Sequence, residues 1–186
     1  MNLRPIALLL ALSACKEEHA ALPSPVEMTA DSVGYFCQMN VLEHGGPKGQ
    51  IALDGMTGTP LFFSQVTDTV AYLQMPEQNY KILATYVSDM GAAPSWDHPG
   101  TKNWVLIDNA VFVVGSDLTG GMGRPEFVPF SDPTKAVEFV EAHGGHIEPF
   151  SELPTQLPLW VDDTTGAVDD SGYSARLRAL TLKSGD

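Results

Sequence analysis

The stretch "EFVPFSDPTKAVEFVEAHGG", residues 126–145, carries signals for a strand, a turn and a helix in that order. Its apolar start indicates a short strand, and the Ser-Asp pair that follows indicates a turn. Asp132 is a favourable N-cap, Pro133 suits the first helical position, and Val137 and Val140 follow at helical spacing. Gly144 is placed to end the helix. The stretch therefore predicts a strand joined directly to an amphipathic helix.

The same pattern occurs 67 residues earlier, in "PLFFSQVTDTVAYLQM", residues 60–75. When Phe63 is aligned with Phe130, a threonine and several apolar helix positions also coincide. The identities are few, so chance similarity is the alternative. A strand is predicted after each helix, and a strand-like stretch precedes each unit: 80–88 and 146–150 after, 33–39 and 110–116 before. The predicted fold class is α+β, with two tandem small ββαβ units that form an internal duplication.

Shifts in composition predict the domain boundaries. Gly, Pro and Asp in "DMGAAPSWDHPGTK" indicate a linker between the units. The acidic, Gly- and Ser-rich C-terminus predicts a loosely ordered tail. The predicted divisions are an N-terminal leader (1–14), a tether that begins at Cys15 (15–30), a first ββαβ unit (31–90), a linker (91–102), a second ββαβ unit (103–153) and the tail (154–186).

The N-terminus, "MNLRPIALLLALSAC", has Arg4 and then an apolar run too short to span a bilayer. Residues 12–15, "LSAC", resemble the lipobox of bacterial lipoproteins. That resemblance implies cleavage before Cys15 and lipid attached to Cys15; a plain signal peptide with an incidental cysteine is the alternative. The expected location is a membrane anchor facing the periplasm. Lys16, which is not an aspartate, slightly favours the outer membrane.

The composition excludes some function classes. The 186 residues carry a formal net charge of −13 and the sequence pI is about 4.5. Nucleic-acid binding requires clustered Lys and Arg, so no nucleic-acid partner is expected. No GxSxG motif, phosphate loop or dinucleotide fingerprint is present, which predicts a protein that is not an enzyme.

Cys37 is the unusual residue of the body, because the chain has only one other cysteine, Cys15. If Cys15 carries lipid, Cys37 is a lone free thiol in an oxidising compartment. A strand over 33–39 would place Met39 on the same face as Cys37. A thiolate and a thioether together favour Cu(I) over hard cations. The alternative is that both residues only fill a core.

Two further features could complete a metal site. Met122 lies between glycines in "LTGGMGRPEF", where burial gains little and an exposed methionine suggests a soft metal or a partner. Met56, in the corresponding loop of the first unit, is the alternative residue to close over Cys37. His44 is a candidate third ligand or release gate, whereas His143 indicates a helix end. Either methionine could instead be incidental.

Three segments together resemble the NosL family of bacterial lipoproteins: "YFCQMNVLEHGGPKGQI", "FVVGS" and "GGMGRPEFVPFSD". The resemblance extends to about residue 153, so the tail lies outside it. It implies two small ββαβ units and a Cu(I) metallochaperone. The implied ligands are Cys37, Met39 and Met122, with His44 as a candidate only.

The family also implies partners. These are nitrous oxide reductase with its copper-centre assembly machinery, and the membrane through lipid on Cys15. The expected state is a monomer or weak dimer. The alternatives are a periplasmic thiol-redox protein that uses Cys37, or a non-metal scaffold lipoprotein that assists assembly of a partner.

Overall fold

The fold is taken from a computed structural model, which describes residues 21–56, 58–76 and 79–154. Short strands rich in β-branched and aromatic residues alternate with two helices, and this confirms the α+β class. The elements are β1 Gly49–Leu53, β2 Leu61–Phe63, α1 Val66–Leu73, β3 Ile82–Ser88, β4 Trp104–Leu106, β5 Val111–Val114, β6 Val128–Phe130, α2 Pro133–His143 and β7 His146–Pro149.

The strands form two antiparallel sheets. The first has the order β2-β1-β3-β4 and the second has the order β6-β5-β7. In each half a hairpin is followed by a helix, and the next strand returns to the free side of the first strand. Phe63 and Phe130 end equivalent strands, and α1 and α2 both begin three residues later, as the alignment predicts. The common origin of the two halves remains a prediction.

Helix α2 begins and ends where the sequence predicts. The Asp132 side chain accepts a hydrogen bond from the Thr134 N–H at 2.8 Å, and Pro133 occupies the first helical position. Gly144 ends the helix with a φ of 72°, in the region that favours glycine. Helix α1 has no such cap of its own, because the Gln65 side chain makes no capping hydrogen bond.

The two halves share one hydrophobic core. Helix α1, from the first half, and β5, from the second, contribute side chains to it, together with Phe127, which directly precedes β6. The buried cluster consists of Val66, Val70, Val87, Ile107, Ala110, Phe112, Val114, Phe127 and Leu153. Two smaller clusters accompany it among the described residues, one in each half. The halves are therefore packed together along α1, which brings their loops to one common edge.

The strand predicted over residues 33–39 is wrong. This segment forms a turn, in which the Gln38 N–H donates to the Gly34 carbonyl at 2.9 Å and Gln38 has a φ of 57°. A residue in that conformation cannot continue a strand. The first strand of the sheet is instead Gly49–Leu53, and an added strand, Trp104–Leu106, extends the same sheet from within the range predicted for the second unit.

Part of the predicted tether is packed on the body. The Gln50 side chain accepts from the Val26 N–H at 2.8 Å and donates to the Val26 carbonyl at 2.9 Å. The Tyr86 hydroxyl donates to the Pro23 carbonyl, and the Met28 side chain is buried. The chain is therefore held to the first sheet from Pro23 onward.

Several predictions fall on residues that the structure does not describe. The signal peptide, Cys15 and all but the first residue of the tail lie outside the described residues. In the described ranges, no helix combines the length and the apolar character needed to cross a membrane.

Candidate metal centre

Aromatic packing holds the turn that carries Cys37 against the first sheet. The Tyr35 ring meets Tyr72 of α1 edge-on, with centroids 5.4 Å apart. The Phe36 ring meets Phe63 of β2 in the same manner, at 5.6 Å. The Tyr35 N–H also donates to the Phe62 carbonyl, at 2.7 Å. These contacts present the half-buried Cys37 thiol near the end of β2.

The Cys37 sulfur lies beside a buried hydroxyl. Its distance to the Ser64 Oγ is 3.0 Å, which is a hydrogen bond in which either group can be the donor. A Cβ atom at Gly34 would come within 2.6 Å of the sulfur and 2.8 Å of the hydroxyl. The close approach of the turn to Ser64 therefore requires glycine at position 34.

The loop of Met122 meets the same serine from the other half of the fold. A Cβ at Gly121 would lie 3.0 Å from the Ser64 carbonyl oxygen and 2.6 Å from the His44 Cβ. The Met122 N–H donates to the Gln65 side-chain carbonyl at 3.3 Å, while the Met122 side chain is 40% exposed. The loop is thus fixed by its backbone, and its thioether remains accessible.

His44 carries an unsatisfied nitrogen. Its Nε2 atom is buried and has no hydrogen-bond partner among the described residues. Such an atom costs free energy unless a ligand or solvent satisfies it. The backbone around His44 is ordered by Trp96, whose carbonyl accepts from the Gly46 N–H at 2.7 Å. An imidazole nitrogen in this state is able to ligate a metal ion.

The structure brings three of the four predicted site positions to Ser64. Cys37 touches the serine directly, while His44 and the Met122 loop meet it through Gly121. Met39 is 39% exposed, two residues beyond Cys37 in the turn. The shared strand face predicted for the two sulfurs is wrong, because the Met39 group that faces the Cys37 sulfur is its carbonyl, at 4.0 Å.

Met56 is placed elsewhere. Its turn joins β1 to β2 at the end of the hairpin opposite Ser64, where Met56 packs beside the cluster of Ile51 and Leu53. Of the two loops proposed from the sequence, the structure brings the Met122 loop to Ser64. Within the described ranges no group of three or more His, Cys, Asp or Glu residues could hold a metal ion.

Sequence reasoning missed a layer of buried polar residues beneath these loops. Lys48 donates from Nζ to the carbonyls of Gly45, Gly46 and Ser64, at 2.7, 2.9 and 3.1 Å. Glu126 accepts from the backbone N–H groups of three residues and from one hydroxyl: Val66, Thr67 and Phe127, and the hydroxyl of Thr67. Glu126, from the second half, thereby caps α1 of the first half.

Burial perturbs both charged groups. It lowers the pKa of Lys48 to about 8, although the charges of Glu126 and Cys37 oppose this change. It raises the pKa of Glu126 to about 7, against the hydrogen bonds of Thr67 and Phe127 and the charge of Lys48. Both directions are those expected when a charged group loses water.

The pKa of Glu126 predicts a pH dependence of stability. The folded pKa, about 7, exceeds the unfolded value of 4.5. The contribution of Glu126 to the free energy of unfolding is therefore full below pH 4.5 and is lost as pH rises through 7. We expect Glu126→Gln to reduce the fall in unfolding free energy between about pH 5 and 7.5 by on the order of 2 kcal/mol. Urea unfolding at both pH values measures it.

The matched control is Glu152→Gln, an exposed carboxylate whose substitution is expected to leave the wild-type pH slope unchanged. Equal slopes for Glu126→Gln and the wild type would contradict the assignment.

The fold has two antiparallel sheets packed along α1, and a thiol-bearing turn and a methionine loop meet at Ser64. These features define a class of small α+β proteins with sulfur-bearing loops at one edge. Comparison with known proteins identifies the class. The chain belongs to the NosL family, whose sequence model matches residues 25–158. The family resemblance of the sequence is thereby confirmed.

Individual relatives support the same assignment. A protein of Achromobacter cycloclastes named copper-binding lipoprotein NosL is 48% identical over 182 residues, covering 96% of this chain and 94% of the relative. A protein of the same name from Stutzerimonas stutzeri is 30% identical, covering 82% and 80%. The crystal structure of the copper chaperone NosL from Shewanella denitrificans matches with a TM-score of 0.64 and 29% identity, covering 70% of this chain and 95% of that one.

Proposed function

We propose that this protein is a periplasmic Cu(I) chaperone that delivers copper for assembly of the copper centres of nitrous oxide reductase. The observation that carries the proposal is the meeting of the Cys37 thiol and the Met122 loop at Ser64, with the His44 side chain packed against Gly121 of the same loop. The names of the relatives support copper as the metal. The same names support a carrier role, and we propose that the protein is not an enzyme.

The donor atoms fit a soft monovalent ion. The Cys37 thiolate and the Met122 thioether are soft ligands, which favour Cu(I) over Mg²⁺ or Ca²⁺. The exposed Met39 thioether is a third sulfur donor close to Cys37 in the chain, and His44 supplies a nitrogen that lacks a partner. We assign Cys37 and Met122 as principal ligands, with Met39 as a further ligand and His44 as a candidate.

The exposure of these ligands fits transfer by ligand exchange. Met39 and Met122 are both more than a third exposed, so an incoming ligand from a partner can reach the metal from solvent. The Met122 loop is closed by short-range backbone bonds, from Gly123 N–H to the Gly120 carbonyl and from Gly120 N–H to the Arg124 carbonyl, both 2.8 Å. The thioether can therefore leave the metal without disturbing the core.

The proposed partners and location follow the family. Lipid on Cys15 would anchor the protein to a membrane, with the outer membrane slightly favoured, and the name lipoprotein in the relatives supports an anchor. The recipients would be nitrous oxide reductase and its assembly machinery. We propose a monomer or a weak dimer.

The proposed function predicts that replacing Met122 lowers the affinity for Cu(I). In an anaerobic Cu(I) titration against a competing chelator, Met122→Ile is expected to weaken binding on the order of tenfold or more, because a thioether ligand is lost. Met75→Ile is the matched control, since Met75 is exposed to a similar extent, 44% against 40%, and follows α1. Its affinity should equal that of the wild type.

Delivery is tested separately. Copper-loaded wild type is expected to activate copper-depleted nitrous oxide reductase in the presence of its assembly machinery, and Met122→Ile to do so less at equal total copper. Unchanged affinity and delivery in Met122→Ile would contradict the proposed ligand. A wild type that binds no Cu(I) but forms a mixed disulfide through Cys37 would instead support the thiol-redox alternative.

A further inference from the structure

Lys48 is a fully buried cation beneath the candidate metal centre. Its side chain is 0% exposed, and its Nζ atom lies within hydrogen-bond distance of three carbonyl oxygens. A protonated amine has three N–H donors, whereas a neutral amine has two. Three carbonyl acceptors around one nitrogen are therefore the environment of an ammonium ion.

The ammonium is adjacent to the Cys37 environment. The Ser64 carbonyl accepts from Lys48 at 3.1 Å, while the hydroxyl of the same serine contacts the Cys37 sulfur at 3.0 Å. One buried residue thus separates the positive charge from the thiol. Coulomb energy falls only inversely with distance, so a buried ammonium one residue away acts on charge at the Cys37 sulfur.

We propose that Lys48 is a specificity-determining residue, whose ammonium makes the Cys37 site select monovalent over divalent metal ions. This proposal rests on the proposed function, because it assumes that a metal binds to Cys37. A thiolate and an ammonium sum to zero charge. Counting these two charges alone, a monovalent ion then leaves one net positive charge at the site, whereas a divalent ion leaves two, and the Coulomb repulsion from the buried Lys48 is twice as large.

Glu126 provides the opposite charge beneath the other loop. A Cβ at Gly120 would come within 2.5 Å of the Glu126 Oε2, so the carboxylate lies directly under the loop of Met122. Its charge favours divalent ions, although the hydrogen bonds at the start of α1 offset part of it. Removing this charge should increase the preference for a monovalent ion.

Metal pairs that differ in charge but not in electron count isolate this effect. Cu(I) and Zn(II) are isoelectronic d¹⁰ ions, and Ag(I) and Cd(II) form a second such pair. Dissociation constants for all four ions would be measured anaerobically on the wild type, Lys48→Met and Lys48→Gln. We expect both variants to lower the monovalent-to-divalent affinity ratio about tenfold in each pair.

Glu126→Gln is expected to raise the same ratio, and this opposite sign distinguishes charge from damage to the fold. The matched control is Gln50→Met, another buried polar side chain near the start of β1, which hydrogen-bonds Val26. Its ratio should equal the wild-type value. A purely structural role for Lys48 would weaken both ions of a pair by one common factor, and that result would overturn the proposal.

The remaining outcomes are also decisive. If the Lys48 variants do not fold, as shown by circular dichroism, Glu126→Gln decides, and an unchanged or lowered ratio overturns the proposal. Failure of the wild type to bind Cu(I) and Ag(I), or binding that Cys37→Ser leaves intact, would refute the proposed function instead. If the wild type binds Cu(I) and Ag(I), but each variant changes the dissociation constants of both ions of a pair by the same factor, only the role of Lys48 is refuted.

Discussion

Replacement of Cys37 by serine is expected to weaken Cu(I) binding by about a thousandfold or more, which corresponds to about 4 kcal/mol. The substitution exchanges the single soft anionic ligand for a hard hydroxyl that stays protonated at neutral pH. Because serine is nearly isosteric with cysteine, it can keep the hydrogen bond to Ser64 and the packing of the turn. Anaerobic competition titration measures the affinity, and urea unfolding checks that stability is retained.

Ser64→Ala is the companion variant, because it removes the hydroxyl that touches the Cys37 sulfur and keeps the thiol. Loss of such an outer-shell contact is expected to weaken binding about tenfold, far less than loss of the thiol. If Cys37→Ser binds Cu(I) as tightly as the wild type, Cys37 is not a ligand and the proposed function fails.

Gly49→Ala is expected to destabilise the fold by about 3 kcal/mol or more, the largest effect on stability that we predict. A Cβ on Gly49 would collide with the hydroxyl of Thr69, and would lie 2.8 Å from its Cβ and 2.9 Å from its Cγ2. Thr69 is fully buried on α1, so the helix would have to move away from β1 and open the shared core. Urea denaturation measures the free energy of unfolding.

A double variant tests the cause. Thr69→Ala removes the atoms that the new methyl group would meet, so Gly49→Ala combined with Thr69→Ala should recover much of the stability lost by Gly49→Ala. Additive losses in the double variant would show that contact with Thr69 is not the reason.

Local chemistry made the second half of the fold predictable. The cap at Asp132, the proline after it and the glycine that ends α2 each act within a few residues. The same short-range signals predict a helix wherever they occur together. The first half repeats the spacing with weaker signals, so its helix was found by comparison with the second half.

The segment around Cys37 has a strand-like pattern but forms a turn, and the cause is tertiary packing. Apolar residues alternate there, as they do in a half-buried strand, but Tyr35 and Phe36 both pack against the body. The strand that takes its place, Gly49–Leu53, begins with Gly-Gln. Gly49 leaves room for Thr69, and the Gln50 side chain hydrogen-bonds the Val26 backbone. Such requirements come from tertiary packing and not from strand propensity.

The polar layer beneath the site was beyond prediction from one sequence. Lys48 bonds to a carbonyl 16 residues away, and Glu126 bonds to a backbone amide 60 residues away. A lysine between a proline and a glycine and a glutamate before an apolar strand both suggest exposure. Only the folded chain shows that their partners surround them.

The packing of Pro23 on the first sheet limits how far the protein can travel from a membrane. If lipid is attached at Cys15, eight peptide units connect the anchor to Pro23, and they span at most about 29 Å. A tether of this length would keep the folded body within a thin layer next to the bilayer. A recipient of its cargo would have to present its own metal-binding groups within that layer.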